Sequence, residues 1–186
     1  MPWVLVVVGV VVVVAGLWAV VTYNGFVKLR NIVEESWKQI DVELHRRYDL
    51  IPNLVETVKG YAGHERQTLE AVTAARSAAA SPGATPAEQA AQENMLTGAL
   101  RQLFAVAEAY PDLKANTSFL ELQSQLTETE DRIAAGRRFY NANVRTLNTK
   151  VQSFPPNVVA RMFNFKEAEY FEAEDPTVRR APEVRF

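Results

Sequence analysis

The 186-residue chain carries 20 basic and 22 acidic side chains, a formal charge of −2, and no cysteine. A balance so close to neutral gives no electrostatic footprint for nucleic acid. The missing thiols exclude disulfides, thiolate metal ligands and a cysteine nucleophile.

Residues 3–22 read WVLVVVGVVVVVAGLWAVVT, without charge and interrupted only by Gly9 and Gly16. About 20 apolar residues at a rise of 1.5 Å span roughly 30 Å, the thickness of a bilayer's hydrocarbon core. The stretch has no polar face, and Trp3, Trp18 and Tyr23 stand near its ends, where amphipathic rings favour the interface. A cleaved leader would want a positive start, a shorter apolar core and small residues at a cleavage site. Here the first cation is Lys28, and no A-x-A triplet follows the run. Residues 1–23 are therefore expected to be a transmembrane anchor, with membrane lipid as its partner. Lys28, Arg30 and Lys38 flank its C-terminal end and no cation precedes it. The positive-inside rule then predicts an outside N-terminus and a cytoplasmic domain.

Beyond the anchor, Phe26, Leu29, Val33, Trp37, Ile40, Leu44 and Tyr48 recur at steps of three and four, the face of an amphipathic helix. Pro52 has no N–H for the carbonyl four residues back. A tight reversal at residues 49–52 is favoured over a kinked rod, although the apolar register runs on through Ile51, Val55, Val58 and Ala62. A second helix is expected to end at Ser81-Pro82-Gly83. Thr85-Pro86-Ala87-Glu88 is a capping box opening a third, with Met95, Ala99, Leu103, Val106 and Tyr110 as its face. Ser118-x-x-Glu121 offers another box. It precedes the cleanest periodicity in the chain: Phe119, Leu122, Leu126, Thr129, Ile133, Gly136, Tyr140, Val144, Leu147, Val151. Four such segments predict an all-α protein with an up-down antiparallel four-helix bundle. Residues 157–174 are too apolar for a free tail and are expected to fold back over one end as a short helical element. Residues 175–186 hold two prolines and little to bury, so they read as disordered.

The stretch YNGFVKLRNIVEESWKQIDVELHRRYDLIPNLVETVKGYAGHERQTLEAVTAAR, placed after an N-terminal anchor, strongly resembles the LemA family, and ARMFNFKEAEYFEAE resembles its closing motif. The resemblance implies a bacterial single-pass membrane protein whose bundle, residues 24–174 with its tail, lies in the cytoplasm. It implies no reaction. Relatives in magnetotactic bacteria are linked to forming magnetosome membranes, which points toward membrane organisation.

The residues hold no catalytic constellation. A carboxylate-bridged metal site in a bundle needs Glu-x-x-His, and Val42 and Tyr61 stand three before His45 and His64. There is no G-x-S-x-G, S-x-x-K or phosphate loop. The expectation is a protein without catalytic residues, metal or cofactor. Its most unusual polar concentration is Asp41, Arg46, Arg47, Asp49, Glu56 and Lys59. That block is either local pairing, with Arg46 or Arg47 meeting Asp49, Asp41 or Glu43, or an interaction patch for a protein partner. Arg161, Phe163, Phe165, Tyr170 and Phe171 are candidates for tail docking. The sequence thus favours a membrane-anchored scaffold or interaction module. One alternative is a membrane-organising or self-assembling protein, an oligomer through Gly9 and Gly16. The other is a ligand-sensing bundle with a polar pocket near Thr129 and Gly136.

Overall fold

The computed structural model describes residues 2–172, and the stretch expected to be disordered lies outside them. Among the described residues the chain is all-α, with helices α1 (Pro2–Lys59), α2 (Arg66–Ala79), α3 (Pro86–Ala107), α4 (Pro111–Lys114), α5 (Thr117–Gln152) and α6 (Pro156–Met162). The apolar stretch of α1 is exposed along its whole length and is long enough to cross a membrane.

The expected reversal at Pro52 does not occur: α1 runs through it as one helix of 58 residues. Pro52 leaves the Tyr48 carbonyl without its usual amide partner. That carbonyl instead accepts a hydrogen bond from Arg76 Nε on α2, at 2.7 Å. The chain turns one helical stretch later, at residues 60–65, where Tyr61 and Ala62 both donate to the Val58 carbonyl, at 3.0 and 2.8 Å. A Cβ at Gly63 would lie 3.2 Å from the Lys59 carbonyl oxygen, so a side chain there would require the turn to give by a few tenths of an ångström.

Two compact units share these helices. The first comprises Met1–Gln39 and Arg138–Ala168. In it the first part of α1 and the last part of α5 run antiparallel, with Trp37 against Tyr140 at a ring separation of 5.4 Å. Asn143 Nδ2 donates to Ser36 Oγ at 2.8 Å. The chain after α6 returns along α1: Phe165 stacks on the fully buried Phe26 at 4.9 Å, and Phe163 meets Tyr23 edge-on at 4.8 Å. Asn148 holds this segment by both amide atoms, donating to the Ala168 carbonyl at 2.9 Å and accepting from its N–H at 2.8 Å.

The second unit comprises Ile40–Arg137 and Glu169–Phe186. Its core is Ile40, Leu44, Ile51, Leu54 and Val58 of α1, Leu69 and Val72 of α2, Leu96, Leu100 and Leu103 of α3, and Leu126 and Ile133 of α5. The Thr85 capping box forms as expected, the Thr85 side chain accepting from the Glu88 N–H and Glu88 from the Thr85 N–H. The face of α3 differs by one position from the expected one. Gln89, Glu93, Leu96, Leu100, Leu103 and Ala107 are buried, whereas Met95 is 67% exposed. α5 is capped by Asn116, whose Oδ1 accepts from the Phe119 N–H at 2.9 Å, and not by Ser118. Its seam is as expected, with Phe119, Leu126, Thr129, Ile133, Tyr140, Val144 and Leu147 all buried.

Candidate functional site

The second unit encloses a polar cluster whose side chains come from α1, α3 and α5 and which also reaches a backbone carbonyl of α2. Arg47, 1% exposed, lies on α1 and turns inward. Its Nη2 pairs with Glu93 of α3, itself 1% exposed, and its Nη1 pairs with Glu130 of α5. Nη1 also donates to Thr97 Oγ1 at 3.2 Å, and the Thr97 hydroxyl donates to Glu130 at 2.9 Å. The remaining carboxylate oxygen of Glu93 accepts from the Tyr48 hydroxyl and from Gln89 Nε2, the latter at 2.8 Å. Gln89 Nε2 further reaches the Tyr48 oxygen at 3.0 Å and the Ala79 carbonyl, the last residue of α2, at 2.9 Å. One buried cation thus meets two carboxylates, and every helix of this unit longer than one turn contributes a partner.

Burial, then the hydrogen bond to Glu93, raise the Tyr48 phenol well above its ordinary value, since both oppose a second negative charge beside that carboxylate. Among the described residues Arg47 Nε has no hydrogen-bond partner. Removing one member of such a pair strands a charge away from water, so the cluster ties the helices into one register.

The expected interaction patch is therefore divided. Arg47 is an internal residue whose partners come from other helices and not from Asp49, Asp41 or Glu43. Asp41, Arg46 and Asp49 remain on the surface, where with Val42, His45, Leu50 and Asn53 they line a shallow open depression of about 690 Å³. All seven lie on one outer face of α1. Asp41 Oδ1 sits 3.3 Å from His45 Nδ1, and Glu56 sits 3.4 Å from Lys59 Nζ, both exposed pairs within one helix. Arg132 of α5 pairs with Glu43 at 3.5 Å and Glu128 at 2.6 Å, and its hydrogen bond holds Glu128 below the usual carboxylate range. The seam position considered for a ligand pocket is filled: a Cβ at Gly136 would meet Ile40 Cγ1 at 3.0 Å, and Thr129 is fully buried with its hydroxyl on the Gln125 carbonyl. Among the described residues, no three His, Asp or Glu side chains converge as metal ligands.

The tail residues also separate. Phe171 is fully buried with the Arg137 guanidinium 5.3 Å from its ring centre, and Tyr170 is 36% exposed. Phe163 is 53% exposed, Arg161 is exposed, and Phe165 lies partly covered beneath the Arg30 guanidinium at 5.7 Å.

Sequence reasoning missed Glu93, Gln89, Thr97 and Glu130. The signal was available for two of them: Gln89 and Glu93 continue the spacing 96, 100, 103, 107 backward, which is where a buried polar pair shows in sequence.

The family model described as LemA family matches residues 36–186. Magnetosome protein MamQ 2 of Paramagnetospirillum magneticum is 28% identical over 175 residues, covering 81% of this chain and 64% of that protein. Protein LemA of Metamycoplasma hominis is 28% identical over 155 residues, covering 82% and 69%. Magnetosome protein MamQ of Magnetospirillum gryphiswaldense is 25% identical over 174 residues, covering 80% and 64%. The chain thus spans just under two thirds of the length of these magnetosome proteins.

Proposed function

The chain belongs to the LemA family, and on that premise we propose that it is a non-catalytic scaffold, held at the cytoplasmic face of a membrane by the apolar part of α1, that offers a protein partner its packed helices. The observation that carries this reading is the junction within α1. Exposed apolar positions run to Val21, and packed ones begin at once with Thr22 at 7% and Phe26 at 0% exposure. No linker intervenes, so a helix fixed in a bilayer fixes the orientation of what packs upon it. The ties joining α1, α2, α3 and α5 through Arg47, Tyr48 and Arg76 support a four-helix, up-down arrangement as the working surface. The charges of the interior cluster are taken up by pairs between helices, which supports interaction over catalysis.

Proximity labelling from a tag fused after Phe186 tests both parts. The expected result is a set of cytoplasmic and membrane-associated neighbours that thins out when a flexible glycine-serine linker separates Tyr23 from Asn24. Neighbours on the opposite side of the membrane, or a set indistinguishable from that of an unrelated anchored domain, would refute it. A second reading, membrane organisation, is favoured by the relatives named as magnetosome proteins. It is supported by Gly9 and Gly16, each with open space where a Cβ would stand. Cross-linking of the full chain in its membrane into oligomers would favour that reading, and a strict monomer would remove it.

A further inference from the structure

Three features carry more than the fold requires: the interior Arg47 cluster, the outer depression on α1, and an exposed apolar face at the foot of the first unit. The first belongs to the core already described, and the second is one face of a single helix. The third leads further.

Helix α6 buries Val159 and Ala160, while Val158 is 48% and Met162 73% exposed. Phe154, four residues before Val158, is 81% exposed, and Phe163 adds a ring that is 53% exposed. Val158 and Met162 stand four apart on one face of α6, and Phe154 lies in the turn just before that helix, so three of these apolar side chains come from one short segment. Its height along α1 is set by contacts inside this unit. Asn143 bonds to Ser36 at 2.8 Å, Tyr140 meets Trp37 at 5.4 Å, and Lys150 Nζ stands 4.8 Å from the Phe26 ring centre. Each step forward on α5 matches a step backward on α1. Ser153 still donates to the Thr149 carbonyl at 2.9 Å, so the helical path of α5 leads directly into the turn that holds Phe154. Phe163 touches Tyr23 itself. This apolar surface therefore stands where the exposed apolar helix ends.

Cations predominate there, with Glu34, 3.9 Å from Arg30, and Glu167 standing just beyond them. Residues 24–31 contain Lys28 and Arg30, and residues 150–166 contain Lys150, Arg161 and Lys166, with no Asp or Glu in either stretch. An apolar surface rimmed by cations at the end of a membrane-crossing helix matches the boundary between acyl chains and anionic headgroups.

We propose that α6 and its flanks form a second membrane contact, with Phe154, Val158, Met162 and Phe163 seated in the interface and the five cations facing anionic headgroups. The helix then lies on the bilayer that α1 crosses, and the inference rests on that reading of α1. The chain has no cysteine, so single nitroxide labels can be placed in the full-length protein in vesicles of phosphatidylcholine and phosphatidylglycerol. Labels at Phe154→Cys, Val158→Cys and Met162→Cys are expected to show an oxygen-to-nickel collision ratio several-fold above that at Ala142→Cys, an exposed site on α5. The ratio should fall when phosphatidylglycerol is omitted. Ratios equal to that at position 142, or indifferent to lipid charge, overturn the proposal. Shielding from both reagents, with spin–spin broadening that vanishes on dilution by unlabelled chain, gives the face to a second copy and equally overturns it. A label at Val12→Cys separates the failures: in lipid there while 158 and 162 stay in water, the anchor stands and only this contact falls.

Discussion

Replacing Arg47 by Met keeps the apolar stem and removes the charge, which isolates what the guanidinium does. Glu93 would then be a carboxylate at 2% side-chain exposure without a cation, whereas Glu130, at 41%, keeps water and the Thr97 hydroxyl. The penalty therefore concentrates on Glu93. Breaking a buried pair from one side destabilises by about 3–5 kcal/mol. In urea that is a fall of roughly 2 M in the unfolding midpoint at ordinary slopes. Adding Glu93→Met removes the stranded charge, while Tyr48 and Gln89 still reach the Ala79 carbonyl at 3.1 and 2.9 Å. The double variant should consequently be no less stable than Arg47→Met alone, a coupling of at least about 2 kcal/mol. Far-UV circular dichroism of the detergent-solubilised full chain through a urea series measures all four corners of the cycle. Additive effects, or an Arg47→Met penalty below about 1 kcal/mol, would show that the cluster does not bind the helices together.

Pro52→Ala restores an N–H to the Tyr48 carbonyl and should stabilise the chain by up to about 3 kcal/mol. Arg76→Ala should cost about 1–3 kcal/mol with Pro52 in place and much less in the Pro52→Ala background, because only then has the carbonyl a second donor; equal penalties in both would refute the account of α1. Phe171→Ala, at a fully buried ring, should lose about 3–5 kcal/mol, against under about 1 kcal/mol for the half-exposed Phe163→Ala; thermal unfolding separates them. Tyr48 keeps its proton in the folded chain where the unfolded chain releases it, above the ordinary value of 10.0. Its contribution is present below that pH and lost as pH rises through it, at about 1.4 kcal/mol per unit. Stability measured from pH 8 to 11 should therefore decline less steeply in Tyr48→Phe, and parallel slopes would refute this. Thr85→Ala removes one half of the capping box and should cost about 1 kcal/mol by the same unfolding assay.

Features set by residue spacing on a single helix were legible in the sequence. The seam of α5 could be read residue by residue because its steps alternate strictly between three and four. The Thr85 box could be read because cap and partner lie three apart. The face of α3 was read one position off, since Gln89 and Glu93 occupy two of its inner places and an apolar count passes over them. Pro52 was the reverse error. A missing N–H predicts a break only when nothing else answers the carbonyl, and the donor, Arg76, lies 28 residues away. Arg47 escaped for the same reason: its carboxylates are 46 and 83 residues distant, whereas sequence offers only the acids of its own helix.

These misses share one place in the molecule, and the coincidence has a physical cause. The Tyr48 carbonyl left open by Pro52 belongs to the residue next to Arg47. Around these two residues α2 supplies Arg76 and the Ala79 carbonyl, α3 supplies Gln89, Glu93 and Thr97, and α5 supplies Glu130. A proline in the interior of a 58-residue helix would ordinarily be its weakest point. Here the turn before it is tied to α2, α3 and α5, so bending α1 at Pro52 would strain a buried ion pair and the Arg76 bond together. Of the polar residues that first resembled a recognition surface, Arg47 alone turns inward, and with the Arg76 bond to the Tyr48 carbonyl it helps keep α1 unbroken at Pro52.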